Sequence, residues 1–247
     1  MKHHISQKTK RKQRRGKGRG AEYRPEIRVN EMKGHLGTHI VQRDHKTKRD
    51  MHFLSQGEAM LYNILRFEDT VVDIREQYPL PIESTEIIAA QIGKRHPMVR
   101  GEKVPFTIDI LADFADGHSE AFSVKASESE FTKNLSQVEN VYIMKLYCES
   151  VGIPFHQVYT DKINRAYAEN ISRILYYWDP DVVEDKVGLF KHLLAHKCIE
   201  IDLESDVIDV LQFRRMADEA ISDEQYLLHM EKINGVKHLR SKTEPNL

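Results

Sequence analysis

The stretch from residue 105 to 125, PFTIDILADFADGHSEAFSVK, constrains the fold more than any other. Thr107 to Phe114 alternates and is rich in β-branched and apolar residues, Asp116-Gly117 is a strong hairpin signal, and residues 121 to 125 read as the returning strand. Side chains along a strand alternate faces, so Ser123 and Lys125 share one face and Val124 points to the other. An acidic residue on the first strand then lies within reach of a lysine on the second. A carboxylate can hold a hard divalent cation, and an ammonium beside it can steady or activate a water nucleophile. The same pattern also describes an ordinary surface hairpin, and this stretch alone leaves both readings open.

At 247 residues and 40% apolar content the chain can bury one large core or two modest ones. Its formal net charge of −1 hides an asymmetry. Residues 1 to 20 carry nine of the 37 Lys and Arg and no acid, leaving 28 basic residues against 38 acidic ones in the remainder. This basic, Gly-containing segment predicts a disordered tail suited to screening phosphates, with Arg11, Arg14 and Arg15 as DNA contacts. Residues 21 to 52 are mixed and basic, with a short strand expected over 26 to 30. The loop that follows holds Lys46, Lys48 and Arg49, which read as further phosphate contacts or as a solvated loop. Cys148 and Cys198 are the two cysteines, which excludes a disulfide framework and a Cys-based zinc site of standard spacing. His35 and His39 have metal-like spacing, but Gly34 and Gly37 argue against a helix there. No run reaches the length of a membrane span, and no apolar stretch follows the basic N-terminus to make a secretory signal. A reducing, cytoplasmic home is expected.

Ser55-Gln56-Gly57-Glu58 is a capping box that opens a helix carrying Met60, Leu61, Ile64, Leu65 and Phe67. Glu58 there needs no role beyond closing the cap. Val71, Val72 and Ile74 predict a strand ended by Pro79 and Pro81, yet strand alternation does not explain the polar cluster Asp73, Arg75, Glu76 and Gln77. A short helix is expected over 84 to 92, a long amphipathic one over 134 to 150, and a buried-type strand over 155 to 159. The order helix, strand, helix, hairpin, helix, strand predicts an α/β domain with a mixed sheet. From residue 160 onward, helices are expected over 163 to 178, 182 to 196 and 207 to 220, with a short strand over 197 to 203. That half carries 17 acids against 12 Lys and Arg, which disfavours a free-standing DNA binder and suits a protein-docking module.

DIREQYPL at 73 to 80, His96-Pro97, the Asp-bearing strand, Val124-Lys125 after a short hairpin, and GIPFHQVYT at 152 to 160 together resemble the TnsA endonuclease family. Those proteins are subunits of heteromeric cut-and-paste transposases with a restriction-endonuclease (PD-(D/E)xK) fold. The resemblance covers residues 23 to 178 well. It implies a mixed sheet flanked by helices, followed by a small winged-helix-like C-terminal domain. The corresponding division is a basic disordered tail over 1–22, an endonuclease domain over 23–160 and a partner-docking domain over 161–247.

The family's catalytic pattern, a Glu on an early helix, an Asp on the first hairpin strand and Q-x-K on the second, falls on Glu58, Asp109 and Lys125. The 51 residues between Glu58 and Asp109 match it. Glu58, Asp109 and the Val124 carbonyl would hold Mg²⁺ or Mn²⁺. Ser123 stands where the pattern has Gln, and a hydroxyl is a shorter and poorer ligand than an amide oxygen. The implied substrate is double-stranded DNA at transposon ends, cut on the strand not joined to the target, in the bacterial cytoplasm. The implied partners are a TnsB-type transposase and a TnsC-type ATPase regulator. A catalytically weakened assembly subunit and a free-standing restriction or repair nuclease are the alternative readings.

Overall fold

Four strands that alternate or run apolar, joined by one tight turn and one long helix, build the sheet at the centre of the N-terminal half. The structure, a computed structural model, describes residues 5–31 and 38–243, with residues 236–243 described by backbone alone. His35 of the spaced histidine pair and the final residues 244–247 lie outside the described residues. The chain divides into two compact units, Met1–Ile163 and Asn164–Leu247.

In the first unit the elements follow as α1 (Gln7–Lys12), β1 (Ile40–Asp44), β2 (Arg49–Phe53), α2 (Gln56–Phe67), β3 (Val71–Pro79) and α3 (Ile82–Gln91). Then come β4 (Met98–Val99), β5 (Glu102–Lys103), β6 (Thr107–Phe114), β7 (Ser119–Lys125), α4 (Glu128–Phe131), α5 (Leu135–Ser150) and β8 (Phe155–Tyr159). The central sheet has the order β3-β6-β7-β8. The β3/β6 and β6/β7 pairs are antiparallel, and β7/β8 is parallel because α5 carries the chain back across the sheet. This is the mixed α/β sheet flanked by helices that the element order predicts.

Two apolar layers cover the sheet. On one face Ile74, Ile110, Ala112, Phe122 and Val124 pack with Leu61, Tyr62 and Leu65 of α2 and with Met51 and Phe53 of β2. On the other, Leu111 and Ala121 pack with Ala89 of α3 and Val141, Ile143, Met144 and Cys148 of α5. On α5 the buried face is Val141, Ile143, Met144 and Cys148, while the apolar Leu135 and Tyr142 are exposed. The β1/β2 hairpin forms where a loop was expected, pairing Ile40 with Phe53 and Asp44 with Arg49.

From residue 5 onward the basic N-terminal segment is not a disordered tail. It lies along the free edge of β3, where unpaired backbone groups would otherwise face solvent. The Gly20 N–H donates to Asp73 Oδ2 at 3.0 Å, the Tyr23 hydroxyl to the Glu76 carbonyl at 3.0 Å, and the Glu26 N–H to the Gln77 carbonyl at 3.2 Å. Arg15, 6% exposed, donates to the Pro25 carbonyl at 3.2 Å and pairs with Glu31. At Gly16 the backbone has φ +68°, and a Cβ would lie 2.1 Å from Pro79 Cγ, so only glycine lets the segment approach β3 this closely. Composition predicts disorder because it counts charges, whereas these particular charges and glycines have fixed partners. The strand expected over 26 to 30 is absent; a short 3₁₀ turn, Val29–Glu31, follows instead.

The second unit contains α6 (Arg165–Leu175), α7 (Lys186–Ala195), α8 (Val210–Ala220) and α9 (Asp223–Thr243). It is helical as expected, but its last helix was not anticipated. The strand expected over 197 to 203 does not form, so the wing of a winged helix has no counterpart among the described residues. Asn170, fully buried on α6, donates to the Leu203 and Asp206 carbonyls at 2.9 and 2.7 Å and accepts from the Ile208 N–H at 2.9 Å, which holds residues 203 to 208 as a loop against the helix.

Candidate active site

The site begins with α2. Ser55 caps the helix, its Oγ accepting from the Glu58 N–H at 3.2 Å. The Glu58 carboxylate accepts in return from the Ser55 hydroxyl at 3.0 Å and from the Leu54 N–H at 3.0 Å, one residue earlier than a standard capping box. At Gly57 a Cβ would stand 2.0 Å from Thr160 Oγ1 and 2.9 Å from Val124 Cγ1. The glycine therefore lets the first turn of α2 press against the end of β7, which brings Glu58 beside the hairpin.

Asp109 on β6 is the convergence point. Its Oδ2 accepts from the Val124 N–H at 2.7 Å, the Ser123 hydroxyl at 3.2 Å and the Lys125 ammonium at 3.4 Å. Lys125 Nζ also donates to Ser123 Oγ at 3.1 Å and to the Val124 carbonyl at 3.0 Å. The other hairpin acids are committed elsewhere, Glu120 among them with His156 at 3.1 Å. Asp113 receives both bonds of the Arg75 guanidinium and the Ser119 hydroxyl, and Asp116 belongs to the turn with His118.

Glu58 is buried near Asp109, and its carboxyl is pushed up to about 7, first by burial and then by the negative charge of Asp109. Hydrogen bonds from Leu54, Ser55 and Gln77 oppose the rise. Two carboxylates that repel one another, with the Val124 carbonyl alongside, form a donor set of oxygens only. Hard divalent cations of the Mg²⁺ type take such sets, keeping waters and substrate phosphate in the other positions. Among the described residues no three His, Cys, Asp or Glu side chains gather around one point, so a cation here would depend on those additional oxygens.

The octapeptide that strand alternation left unexplained surrounds this site with paired polar groups. Arg75 Nη2 meets both oxygens of Asp113 at 2.6 and 2.8 Å. Glu76, fully buried, takes Arg49 Nη1 at 2.7 Å and the His52 N–H at 3.1 Å. Arg49 also donates to the Ile74 carbonyl at 3.0 Å and lies over the Tyr23 ring. Gln77 sits in the left-handed region, φ +48°, and points its amide at Glu58 Oε2, 3.1 Å away, while its own oxygen accepts from Thr107 at 3.3 Å. A non-glycine residue held there is strained by about 1 kcal/mol or more, and the surrounding network holds it. Gln77 is the site residue that sequence reasoning flagged without a role; its membership of the polar cluster was the available signal.

The structure thus brings together Glu58, Asp109, Ser123, Val124 and Lys125. It separates the basic residues expected at DNA. Arg15 and Arg49 are buried in ion pairs, so their phosphate-contact assignment is corrected: a guanidinium enclosed by the protein is out of reach of a phosphate. Arg11, Arg14 and Lys48 are exposed, and Lys46 is half-buried with its ammonium on the Arg66 carbonyl at 3.2 Å.

A family model described as "TnsA-like endonuclease N terminal" matches residues 68–161, which include Asp109, Ser123 and Lys125 but begin after Glu58. The chain is also similar to "Transposon Tn7 transposition protein TnsA" of Escherichia coli, 30% identical over 208 residues that cover 79% of this chain and 76% of the relative. On the strength of that coverage, with a mixed sheet that carries Asp109 and Lys125 and a helix that brings Glu58 beside them, the chain belongs to the TnsA endonuclease family.

Proposed function

We propose that this protein is a divalent-metal-dependent DNA endonuclease that hydrolyses the non-transferred strand at transposon ends. The observation that carries this reading is the convergence of the Val124 N–H, the Ser123 hydroxyl and the Lys125 ammonium on one oxygen of Asp109, with the buried Glu58 carboxyl nearby. Asp109, Glu58 and the Val124 carbonyl would hold Mg²⁺ or Mn²⁺. When bound, the ion supplies Lewis acidity toward the scissile phosphate and toward a water. Glu58, whose pKa is raised first by burial and then by the Asp109 charge, would be favoured in its ionised form by the positive charge of a bound ion. Lys125, released in part from Asp109, orients the attacking water and offsets charge developing on the phosphate oxygens. The Val124 N–H keeps Asp109 in place throughout.

In this reading the exposed Lys8, Arg11, Lys12, Arg14 and Lys17 of the N-terminal segment screen DNA phosphates. The helical second unit docks the partners, a TnsB-type transposase and a TnsC-type ATPase regulator, and exposed Val210 and Leu211 on α8 offer an apolar surface for this. No helix among the described residues is long and apolar enough to cross a membrane. The decisive experiment is the Asp109→Ala change in a reconstituted transposition complex, scoring both strands at the transposon end. Loss of cutting on the non-transferred strand, with the transferred strand still processed, is expected. Cutting of both strands by the variant would remove the catalytic assignment.

A further inference from the structure

The polar groups of the site form a row across the whole sheet. The β3/β6 pairing sets Glu76 against Ile110 and Tyr78 against Ile108, which places Gln77 opposite Asp109. The β6/β7 pairing sets Ile110 against Phe122, and one step along brings Asp109 opposite Ser123. The parallel β7/β8 pairing sets Ser123 against Gln157. Registered residues on neighbouring strands share a face. The flanking residues agree: Val158 packs with the layer under α2, and Phe155 and Tyr159 pack with the layer under α5. Gln157 therefore lies on the same face as Ser123, at the outer end of the row.

Gln157 is held in a specific way. Its Nε2 donates to the Ser123 carbonyl at 3.0 Å. A carbonyl accepts only from the amide nitrogen, so this bond fixes the amide's orientation and points Oε1 the other way. That oxygen is buried and has no hydrogen-bond partner. A buried amide oxygen without a donor is costly by about 1–3 kcal/mol, and such an atom calls for an explanation. Two positions in this row thus complement one another. Ser123 has too short a side chain to offer an amide oxygen, and the adjacent strand holds an amide oxygen that lacks a donor.

We propose that Gln157 supplies to the divalent-cation site the amide oxygen that Ser123 cannot, as a positioning residue for the water shell of the ion. The inference rests on the nuclease reading above. A water held by the ion is a strong donor and fills the valence left open at Oε1, while the bond from Nε2 to the Ser123 carbonyl keeps the amide from turning away. Ser123 in turn keeps its hydroxyl on Asp109, so the row holds the carboxylate from one side and the ion's waters from the other.

The test is Mn²⁺ binding to the full-length protein by electron paramagnetic resonance, run beside thermal unfolding for each variant. Gln157→Ala is expected to weaken Mn²⁺ binding by about 10-fold, the lower end for loss of an outer-shell partner. Gln157→Glu keeps oxygens but loses the donor to Ser123, and is expected to bind Mn²⁺ more tightly than the parent. Ser123→Gln in the Gln157→Ala background is expected to restore affinity. A merely structural Gln157 would give Glu and Ala variants alike in stability loss, with Mn²⁺ affinity unmoved, and that result overturns the inference. If Asp109→Ala abolishes Mn²⁺ binding while Gln157→Ala and Gln157→Glu leave it unchanged, the nuclease reading stands and this inference alone falls. If Asp109→Ala also leaves Mn²⁺ binding unchanged, both fall.

Discussion

Asp109 and Asp113 lie four residues apart on one strand, and each faces a cation, yet the two pairs do opposite things. Asp113 is closed. Arg75 meets both of its oxygens, Ser119 adds a third donor, both partners are buried, and the Arg75 guanidinium lies over the Tyr78 ring. Asp109 is open. Lys125 reaches only one of its oxygens, at 3.4 Å, and shares the same ammonium with Ser123 and the Val124 carbonyl. A planar guanidinium satisfies a carboxylate on its own and holds it still, whereas an ammonium on a flexible stem can shift when an ion or a phosphate arrives. The choice of arginine or lysine as partner separates an acid closed by its own partner from one left open to an incoming cation.

Exchanging the roles is the sharpest way to break the comparison. Asp109→Ala should reduce strand cutting by about 10³-fold or more, in line with loss of a preorganised charge in an active site. Its urea midpoint should stay close to the parent's. Asp113→Ala should do the reverse. It leaves the Arg75 charge buried and unpaired, at a cost of about 3–5 kcal/mol in urea unfolding, while folded protein still cuts. If Asp113→Ala abolishes cutting without loss of stability, the division between the pairs is wrong.

Smaller changes test the supports on either side. Gln77→Ala removes a donor from Glu58 but leaves the left-handed backbone strained, and should lower cutting by about 10-fold with a modest loss of stability. Gly16→Ala should destabilise by about 1–3 kcal/mol, because the added Cβ meets Pro79 and the backbone is left-handed. Limited proteolysis should then cut the N-terminal segment sooner than in the parent.

The smallest effect expected is at His96, whose Nε2 pairs with the Thr85 hydroxyl at 3.0 Å. Burial pushes its pKa below the ordinary histidine value. The unfolded state then binds the proton more readily. The contribution of His96 is therefore fully present above about pH 6.5 and is lost as the pH falls through the lowered folded value. Thermal unfolding of the parent between pH 5 and 7 should show that slope, and His96→Gln should flatten it.

The central hairpin was legible because its information is local. Alternation, β-branching and Asp116-Gly117 define two strands, and strand periodicity puts Ser123 and Lys125 on one face. The capping of α2 at Ser55 was equally local, and the spacing from Glu58 to Asp109 tied the two together once the family resemblance was recognised. DIREQYPL announced itself as anomalous for the same reason, since polar residues broke the strand pattern.

What those residues meet was decided by the tertiary structure. Arg49 and Glu76, Arg75 and Asp113, and Gln77 and Glu58 are far apart in sequence, and their pairing depends on sheet register and on the angle at which α2 meets β7. The N-terminal segment misled for a related reason: its charges predict disorder unless the edge of β3 is there to receive them. Periodicity tells which residues are buried, because burial has a local repeat. It does not tell which donor a buried carboxylate or amide will find, because that partner arrives from another strand. For this protein the sequence alone determined the strand pair and the candidate catalytic set, and the fold decided which acid was left open.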